Sequence, residues 1–336
     1  MQQTTPARRA LGATGLTVSR LGLGLAALGR PGYINLGHAT DLQGDYAPAA
    51  MEARAHRVLD AAWAAGMRYF DAARSYGRAE AFLGSWLAAR GIAPAEAVVG
   101  SKWGYRYTAD WQVDAPAHEI KEHSAAMLER QWGESRALLG AHLDLYQIHS
   151  ATFESRVLEN AAVLDGLWAL KRTGIRIGLS VSGTRQPQIL AAARALRRDG
   201  QPLFDCAQLT WNPLETSVEE AAAAAAATGM GIIVKEALAN GRLTGRNTDP
   251  AFAVQRAVLE TQARRLGVPM ETLVLAAALE RPWADVVLSG VADVAQLDAN
   301  LAALDVRLDA EARAALANLT EPPEDYWQRR AALTWN

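Results

Sequence analysis

The chain places an acid, a phenol, an amine and an imidazole where they could act together. Asp71 ends a short apolar run, and Tyr76 follows it five residues later. Lys102 ends a second apolar run, and His149 ends a third. Each of these residues alone is often only the solvated start of a loop. Together they offer complementary chemistry, provided that the ends of the three runs meet in one volume.

These four side chain types suit proton transfer to a carbonyl oxygen. A tyrosine hydroxyl has an unperturbed pKa of about 10 and is a poor proton donor near neutral pH. A lysine ammonium beside it lowers that pKa, and an aspartate keeps the lysine charged and oriented. A histidine can hydrogen-bond the carbonyl oxygen or help to relay the proton. Because no side chain donates hydride, this chemistry requires a nicotinamide cofactor.

Short apolar runs alternate with amphipathic stretches along the chain. The predicted strands are Leu21–Leu28, Met67–Ala72, Ala97–Lys102, Leu143–His149, Ile175–Val181, Phe204–Trp211, Gly231–Lys235 and Val286–Ser289. The predicted helices are Ala53–Ala65, Ala79–Arg90, Ala117–Leu139, Val157–Thr173, Gln186–Arg198, Ser217–Thr228, Met270–Glu280 and Asp293–Leu301. Such alternation is typical of a parallel sheet covered on both faces.

Eight such units in 336 residues favour an α/β fold of the (β/α)8 TIM barrel type. In that fold the carboxyl ends of the strands face one volume, which would bring the four side chains together. The alternative is an open doubly wound sheet, but no GxGxxG motif follows the first strand.

Several segments lie outside the eightfold repeat. We predict a hairpin over residues 8–20, loops over 30–52 and 103–116, an extra helix at Ala251–Leu266, and a tail over 321–336 covering the active face. Stretches rich in proline and glycine fall between the repeating units and mark no linker. We therefore predict a single domain over residues 1–336, with its core over 8–320.

Composition excludes several classes of function. There are 34 basic and 36 acidic residues with no basic block, so nucleic acid is not an expected partner. The single cysteine, Cys206, excludes an internal disulfide. His38, Asp41 and Asp45 share one polar loop, and no metal is expected there. Residues 1–20 have no signal-peptide core, and no stretch reaches the roughly 18 apolar residues of a membrane span. We expect a soluble, cytoplasmic protein.

The segment YFDAARSYGRAEAFLG, residues 69–84, resembles the aldo-keto reductase superfamily. RRALGATGLTVSRLGLG, LDLYQIHS, LANGRLTG and LSGVADVAQLDANL are similar to further segments of that family, and the resemblance runs from about Arg8 to Thr320. It implies a bacterial-type oxidoreductase with non-covalent NAD or NADP and a tetrad of Asp71, Tyr76, Lys102 and His149. In that tetrad Tyr76 donates the proton, Lys102 lowers its pKa, Asp71 orients Lys102, and His149 positions the substrate.

The resemblance also implies a set of cofactor-binding positions. These are Ser180, Ser182, Gln208, Trp211, Lys235, Leu238, Gly241, Leu243, Ser289, Gly290, Val291, Gln296 and Asn300. Val181 replaces a usual asparagine, and Ser182 could take over its hydrogen bond. Lys235 replaces a residue that is often an aromatic stacked on the nicotinamide. Two interpretations of Lys235 stay open: a position near the pyrophosphate, with Trp211 covering the nicotinamide ring instead, or an ordinary ion pair with Glu236 or another acid.

The loop at Ser289–Asp293 contains no basic residue, although a 2′-phosphate is usually bound by one. Arg242 and Arg246 on a neighbouring loop could still reach that point. Our hypothesis is that NAD is accepted and that NADP is not strongly preferred.

Aromatic residues in the loops and the tail predict the walls of a substrate pocket. The candidates are Tyr33, Trp103, Tyr105, Tyr107 and Trp327. Such walls suit sugars, steroids and aromatic aldehydes, and the alternative is that some of these rings only pack loops onto the barrel. The leading hypothesis is an NAD(P)(H)-dependent interconversion of a small-molecule carbonyl and an alcohol. The alternatives are a sugar dehydrogenase or epimerase, and a cofactor-sensing regulatory subunit.

Overall fold

Eight parallel strands close into a barrel in the computed structural model, which describes residues 8–336. The strands are β1 Leu21–Gly24, β2 Tyr69–Asp71, β3 Val98–Trp103, β4 Leu143–Ala151, β5 Arg176–Val181, β6 Cys206–Thr210, β7 Gly231–Lys235 and β8 Val286–Gly290. Each strand pairs with the next along the chain, and β8 pairs with β1. The predicted (β/α)8 barrel is confirmed.

Helices cover the outside of the barrel. Their bounds are His38–Leu42, Pro48–Ala64, Ala79–Arg90, Ala125–Leu139, Ala161–Arg172, Gln186–Ala195, Glu219–Ala226, Ala253–Leu266, Met270–Leu279, Val294–Leu301, Ala310–Ala317 and Pro323–Ala331. Short 3-10 turns lie at Pro94–Glu96, Gly140–His142, Val157–Glu159, Ala239–Gly241, Pro250–Phe252 and Ala302–Leu304. All residues of β3 and β6 are buried, because one strand face fills the barrel and the other meets the helices.

A hairpin precedes the barrel, as predicted for residues 8–20. Arg8–Ala10 pairs antiparallel with Thr17–Ser19. Buried Leu11 and Val18 pack into the interior cluster that contains Tyr69, so the hairpin closes the end of the barrel at which the strands begin. Residues 1–7, which belong to the predicted single domain, lie outside the described part of the chain, and that domain boundary stays a prediction.

Most predicted elements shift by a few residues at one or both ends, and two of them end three or more residues early. The strand predicted over Leu21–Leu28 ends at Gly24, because the N–H groups of Leu28 and Gly29 both donate to the carbonyl of Leu25 and turn the chain. The helix predicted over Gln186–Arg198 ends at Ala195, and Arg197–Arg198 instead pairs with Gln201–Pro202.

The prediction of a helix beginning at Ala117 was wrong. That helix begins at Ala125, where the hydroxyl of Ser124 accepts a hydrogen bond from the Met127 N–H at 3.1 Å. Glu119–Lys121 forms a short strand antiparallel to Tyr105–Tyr107. In the sequence, the mainly polar residues 117–124 resemble the first turns of the helix that follows. In the structure they include one strand of this hairpin, which lies beside the candidate site.

Within residues 8–336, no helix combines the length and the apolar character that a membrane crossing requires.

Candidate active site

A cavity of about 460 Å³ opens at the carboxyl ends of the barrel strands. Asp71, Tyr76 and His149 line one end of it, and Gly290 and Asn300 line the other. The strand ends meet there because all eight strands run in the same direction around the closed barrel. The topology therefore brings the predicted acid, phenol and imidazole to one volume.

Two glycines hold the loop that carries Tyr76. Gly77 has a φ of +59°, and a Cβ there would lie 2.5 Å from the carbonyl oxygen of Gly29. A Cβ on Gly29 would lie 2.3 Å from the carbonyl oxygen of Tyr76. Only glycine permits this approach of two backbones, which places Tyr76 against the loop that follows β1.

Lys102 connects the phenol with the acid. Its Nζ lies 3.4 Å from the hydroxyl of Tyr76, forms an ion pair with Asp71 and donates to the carbonyl of Ala72 at 2.9 Å. The side chains of Lys102 and Asp71 are both almost wholly buried. A buried ion pair with further hydrogen bonds is strongly oriented, so the ammonium is held beside the phenol.

The other oxygen of Asp71 is held from two directions. It accepts hydrogen bonds from Tyr69 at 3.2 Å and from Gln208 at 2.9 Å. Tyr69 reaches this position because Gly100 has no side chain, and a Cβ there would lie 2.6 Å from the Tyr69 hydroxyl. The carboxylate is therefore fixed by groups from β2, β3 and β6.

His149 packs edge-on against Tyr76, with ring centroids 5.5 Å apart. Its Nδ1 lies 3.3 Å from the hydroxyl of Ser75. Burial and the positive charge of Lys102 hold the pKa of His149 well below its usual value, and Arg30 and Lys235 act in the same direction. The imidazole is therefore neutral near pH 7.

Burial raises the pKa of Tyr76 well above its ordinary value, and the charge of Asp71 adds to this effect. Arg30 opposes it. The sequence predicted that the neighbouring lysine lowers this pKa, but the net shift in the structure is upward because the loss of solvent dominates. A phenol with a raised pKa stays protonated and can still donate its proton when charge develops on a nearby oxygen.

Arg30 lines the cavity and was missed from the sequence. Its guanidinium lies 5.1 Å from the ring of Tyr33, 5.2 Å from that of Tyr76 and 4.7 Å from that of Trp335. It also forms an ion pair with Glu119 at 3.1 Å. A single arginine at the start of a loop carries no sequence signal that separates it from a surface residue.

Most predicted cofactor positions line the cavity, namely Ser182, Gln208, Lys235, Leu238, Gly241, Gly290, Val291, Gln296 and Asn300. The others lie outside its lining, namely Ser180, Trp211, Leu243 and Ser289. Ser180 accepts a hydrogen bond from the N–H of Ser150 at 2.8 Å, and Trp211 packs edge-on against Trp283. In this arrangement Trp211 does not cover the cavity.

Polar groups at the far end could hold a cofactor. The buried Nε2 of Gln296 and Oδ1 of Asn240 have no partner among the described residues, and both side chains line the cavity. The helix Val294–Leu301 begins beside Gly290 and Val291, so its positive end points toward the same space. The side-chain N–H of Gln296 at this helix terminus fits the phosphate-bearing part of a dinucleotide, whereas the Asn240 oxygen can only accept a hydrogen bond from a donor group such as a hydroxyl.

Lys235 extends along the rim of the cavity. Its Nζ donates to the hydroxyls of Ser182 at 2.9 Å and Thr210 at 2.6 Å, and lies 3.8 Å from Glu236. Arg330 occupies both oxygens of Glu236 through hydrogen bonds of 2.5 to 3.1 Å. Burial lowers the pKa of Lys235 to about 8. The predicted ion pair between Lys235 and Glu236 is thus long, and Glu236 is shared with Arg330.

Of the predicted substrate residues, Tyr33 alone is among the residues that line the cavity. The others are Trp103, Tyr105, Tyr107 and Trp327. Trp103 is fully buried against His123, whereas the Tyr105 ring lies 5.0 Å from that of His149, just behind the lining.

The tail covers the cavity through residues that the sequence did not single out. Arg330, Leu333 and Trp335 line it. Asn336 and Tyr33 exchange two backbone hydrogen bonds of 3.1 Å, which join the tail to the loop after β1.

At the far end of the cavity, Arg242 and Arg246 are each paired with a carboxylate. Arg246 lines the cavity but makes a two-bond ion pair with Asp41, at 2.6 Å for each bond, and Glu271 lines the same region. Arg242 is buried and pairs with Glu321 at 2.6 Å, outside the lining. Residues 8–336 contain no group of three or more His, Cys, Asp or Glu side chains that could hold a metal ion.

The model of the aldo/keto reductase family matches residues 20–321. The chain belongs to this family. Its members are NAD(P)-dependent oxidoreductases that interconvert carbonyl compounds and alcohols, and the chain is an enzyme of this class with small-molecule substrates. The resemblance stated from the sequence is confirmed.

Similar proteins extend this assignment. Pyridoxal 4-dehydrogenase of Microbacterium luteolum is 33% identical over 163 residues, a match that spans 42% of this chain and 42% of that protein. An uncharacterized oxidoreductase of Bacillus subtilis is 27% identical over 328 residues, covering 90% of this chain and 92% of the relative.

Solved structures show the same architecture. One described as an aldo-keto reductase from Pseudomonas aeruginosa superposes with a TM-score of 0.64 at 26% identity, covering 90% of this chain and 97% of that chain. The holo form of an aldo-keto reductase from Bacillus halodurans has a TM-score of 0.72 at 21% identity, covering 94% and 97%, and shows a common fold.

Proposed function

We propose that the chain reduces an aldehyde or ketone to an alcohol, and catalyses the reverse oxidation, with Tyr76 as the general acid and base. The observation that carries this proposal is the hydroxyl of Tyr76 in the cavity, 3.4 Å from the ammonium of Lys102. The adjacent His149 supplies a second polar group to the same volume. These groups surround the position that a carbonyl oxygen would occupy.

In the reductive direction Tyr76 protonates the carbonyl oxygen. A bound reduced nicotinamide supplies the hydride to the carbonyl carbon. The phenolate left on Tyr76 is stabilised by Lys102, which Asp71 orients, and by the charge of Arg30. In the oxidative direction the same phenolate removes the proton from the alcohol.

His149 would orient the substrate as a neutral hydrogen-bond donor. The hydroxyl of Ser75 can donate to Nδ1, which leaves the proton of the imidazole on Nε2. A neutral imidazole donates to a carbonyl oxygen without competing with Tyr76 for the proton. The pKa of His149, held well below its usual value by burial, supports this role.

The cofactor would lie between the catalytic end and the helix Val294–Leu301. Its phosphate-bearing part would meet the backbone of Leu238, Gly241, Gly290 and Val291, all of which line the cavity. The side chains of Gln208, Gln296 and Asn300 and the hydroxyl of Ser182 would make further polar contacts.

NAD is accepted in this proposal, and NADP is not strongly preferred. The support is that Arg246 is engaged by Asp41, while Glu271 disfavours an added phosphate dianion in the same region. Fluorescence titration of the protein with NADH and NADPH measures the two dissociation constants. We expect constants within about tenfold of each other, or about 1.4 kcal/mol. NADPH binding a hundredfold tighter would contradict the proposal.

An aromatic aldehyde is the proposed substrate class. The rings of Tyr33 and Trp335 and the guanidinium of Arg30 offer flat surface and positive charge beside Tyr76. The similarity to a pyridoxal 4-dehydrogenase makes pyridoxal the first compound to assay in either direction. A steady-state panel should include pyridoxal, benzaldehydes, aliphatic aldehydes and aldoses.

The same panel tests the alternatives. Sugar oxidation, or epimerisation with no net change in cofactor, would favour a sugar dehydrogenase or epimerase. If wild-type and Tyr76→Phe proteins are equally inactive on every compound while cofactor stays bound, a regulatory subunit is favoured.

A further inference from the structure

Lys235 is the cation at the catalytic end of the cavity whose carboxylate neighbour, Glu236 at 3.8 Å, is held at shorter distance by another cation, Arg330. The other cations there are each matched, Arg30 with Glu119, Lys102 with Asp71, and Arg330 with Glu236. Four cations and three carboxylates leave one positive charge in excess. The two groups that bind the Lys235 ammonium at hydrogen-bond distance, Ser182 and Thr210, are neutral hydroxyls.

The position of this charge follows from the strand register. Thr210, which binds the ammonium, lies two residues beyond Gln208 on β6, so both side chains point to the same face. Gln208 donates to Asp71, which pairs with Lys102 beside Tyr76. The ammonium of Lys235 therefore lies one layer of side chains closer to the carboxyl ends of the strands than Gln208, which holds the Asp71–Lys102 pair beside Tyr76.

A nicotinamide ring must lie close to this layer. Hydride and proton would reach the two atoms of one carbonyl bond, so a bound nicotinamide ring would lie within a few ångströms of the Tyr76 hydroxyl. Lys235 lines the same cavity as Tyr76 and His149. Its charge is among the causes that lower the pKa of His149, which supports its closeness to the reacting centre.

The two redox states of the cofactor differ in charge at that ring. The oxidised nicotinamide carries a positive charge and the reduced ring is neutral, whereas the rest of the molecule is unchanged. A fixed cation in a poorly solvated site repels only the oxidised ring. An aromatic residue in the same place would instead attract a cationic ring.

We propose that the ammonium of Lys235 makes the site bind the reduced cofactor in preference to the oxidised cofactor. This inference rests on the proposed function for the placement of the ring beside Tyr76. It assigns Lys235 a positioning and selective role toward the cofactor and no proton transfer. The enzyme would then be held mainly in its reductant-loaded form when both cofactor states are present.

The preference should depend on pH. With a pKa of about 8, Lys235 is charged at pH 6.5 and largely neutral at pH 9.5. The groups that face it from the packed elements are Glu236, Arg330, Asp71, Lys102 and His149. Burial and cationic neighbours hold the pKa of His149 well below its usual value, and the pKa of Glu236 is about 2 because of Arg330 and Lys235. Neither of these two groups changes charge over this interval.

Equilibrium binding tests the inference without turnover. NADH is titrated by fluorescence and NAD+ by competition with NADH, at pH 6.5 and pH 9.5. The variants are Lys235→Met, which removes the charge, and Lys235→Arg, which keeps it. Lys171→Met is the matched control, because Lys171 pairs with Asp205 away from the cavity. Thermal unfolding checks that each variant is folded.

The measured quantity is the ratio of the NAD+ dissociation constant to that of NADH. We expect Lys235→Met to lower this ratio at least tenfold at pH 6.5, while Lys235→Arg and Lys171→Met leave it within about threefold. A tenfold change corresponds to about 30 mV in the potential of the bound couple. The wild-type ratio should fall toward that of Lys235→Met at pH 9.5, a result that needs no variant to fold.

A ratio in Lys235→Met within twofold of wild type at pH 6.5 would overturn the inference. So would equal weakening of both cofactor states, which would place Lys235 at the phosphates or the carboxamide. The proposed function is tested separately. Loss of turnover in Tyr76→Phe with an unchanged ratio in Lys235→Met would retain the function and reject the inference.

Discussion

The two walls of the cavity are built in different ways. On one wall Asp71, Lys102 and His149 lie on barrel strands that are hydrogen-bonded to neighbours on both sides. The opposite wall comes from the tail, which consists of the helix Pro323–Ala331 and the residues after it.

The tail is attached by a few long-range contacts. Arg330 pairs with Glu236, Trp335 stacks on His118 at 3.9 Å, and Asn336 bonds to the loop after β1. The barrel therefore places the chemistry, whereas the tail shapes the space for the substrate. Changes on the barrel wall should alter the rate of the chemical step, and changes in the tail should alter substrate binding.

Apart from substitution of Tyr76, the largest loss of kcat is expected from Lys102→Met. This variant removes the ammonium that stabilises the phenolate and leaves Asp71 buried beside Tyr76. We expect kcat to fall by about 10²–10⁴-fold with cofactor dissociation constants changed only a few-fold. Steady-state kinetics and NADH titration measure the two quantities. Equal loss of kcat in Lys171→Met would show that the effect is one of general stability.

A smaller effect is expected from the tail. Trp335→Ala removes a ring that lines the cavity and lies 4.7 Å from the Arg30 guanidinium. We expect KM for an aromatic aldehyde to rise about tenfold with kcat nearly unchanged, in keeping with about 0.5–2 kcal/mol for a cation–π contact. Trp327→Ala is the matched control, since Trp327 is outside the lining. A larger rise of KM in Trp327→Ala than in Trp335→Ala would show that Trp327, and not Trp335, shapes the substrate site.

The smallest expected effect is that of pH near the ordinary pKa of histidine. Burial and nearby cations hold the pKa of His149 well below its usual value, so we expect no imidazole titration centred near pH 6.5 between pH 5.5 and pH 7.5. With a substrate that does not ionise, kcat/KM for reduction should change less than about twofold across this interval. An inflection near pH 6.5 that disappears in His149→Gln would contradict a neutral imidazole.

The spatial grouping of Asp71, Tyr76, Lys102 and His149 could be predicted from sequence, because polar residues at the ends of apolar runs share one edge of a parallel barrel. Strand β7 follows the predicted bounds, Gly231–Lys235, because a continuous apolar run ends there in a charge. The direction of the Tyr76 pKa shift could not be predicted. It depends on how deeply neighbouring loops enclose the phenol, and no local pattern encodes that depth.

The tail was harder to predict for a physical reason. Trp327 and Trp335 look equivalent in sequence, but the ion pair between Arg330 and Glu236 joins residues 94 positions apart and sets which side of the helix faces the barrel. Trp327 then packs against the core, and Trp335, beyond the end of the helix, reaches the cavity. The hairpin partner Glu119–Lys121 was missed for a similar reason, since its pairing is not local.

Single-turnover kinetics of Tyr76→Phe test the central claim most directly. Protein preloaded with NADH is mixed with an aldehyde that the wild type reduces, and the loss of nicotinamide absorbance is followed. We predict NADH binding within about threefold of wild type and a hydride-transfer step slowed by about 10²–10⁴-fold, because the phenol that supplies the proton is gone. A step as fast as in the wild type would contradict the assignment of Tyr76 as the proton donor.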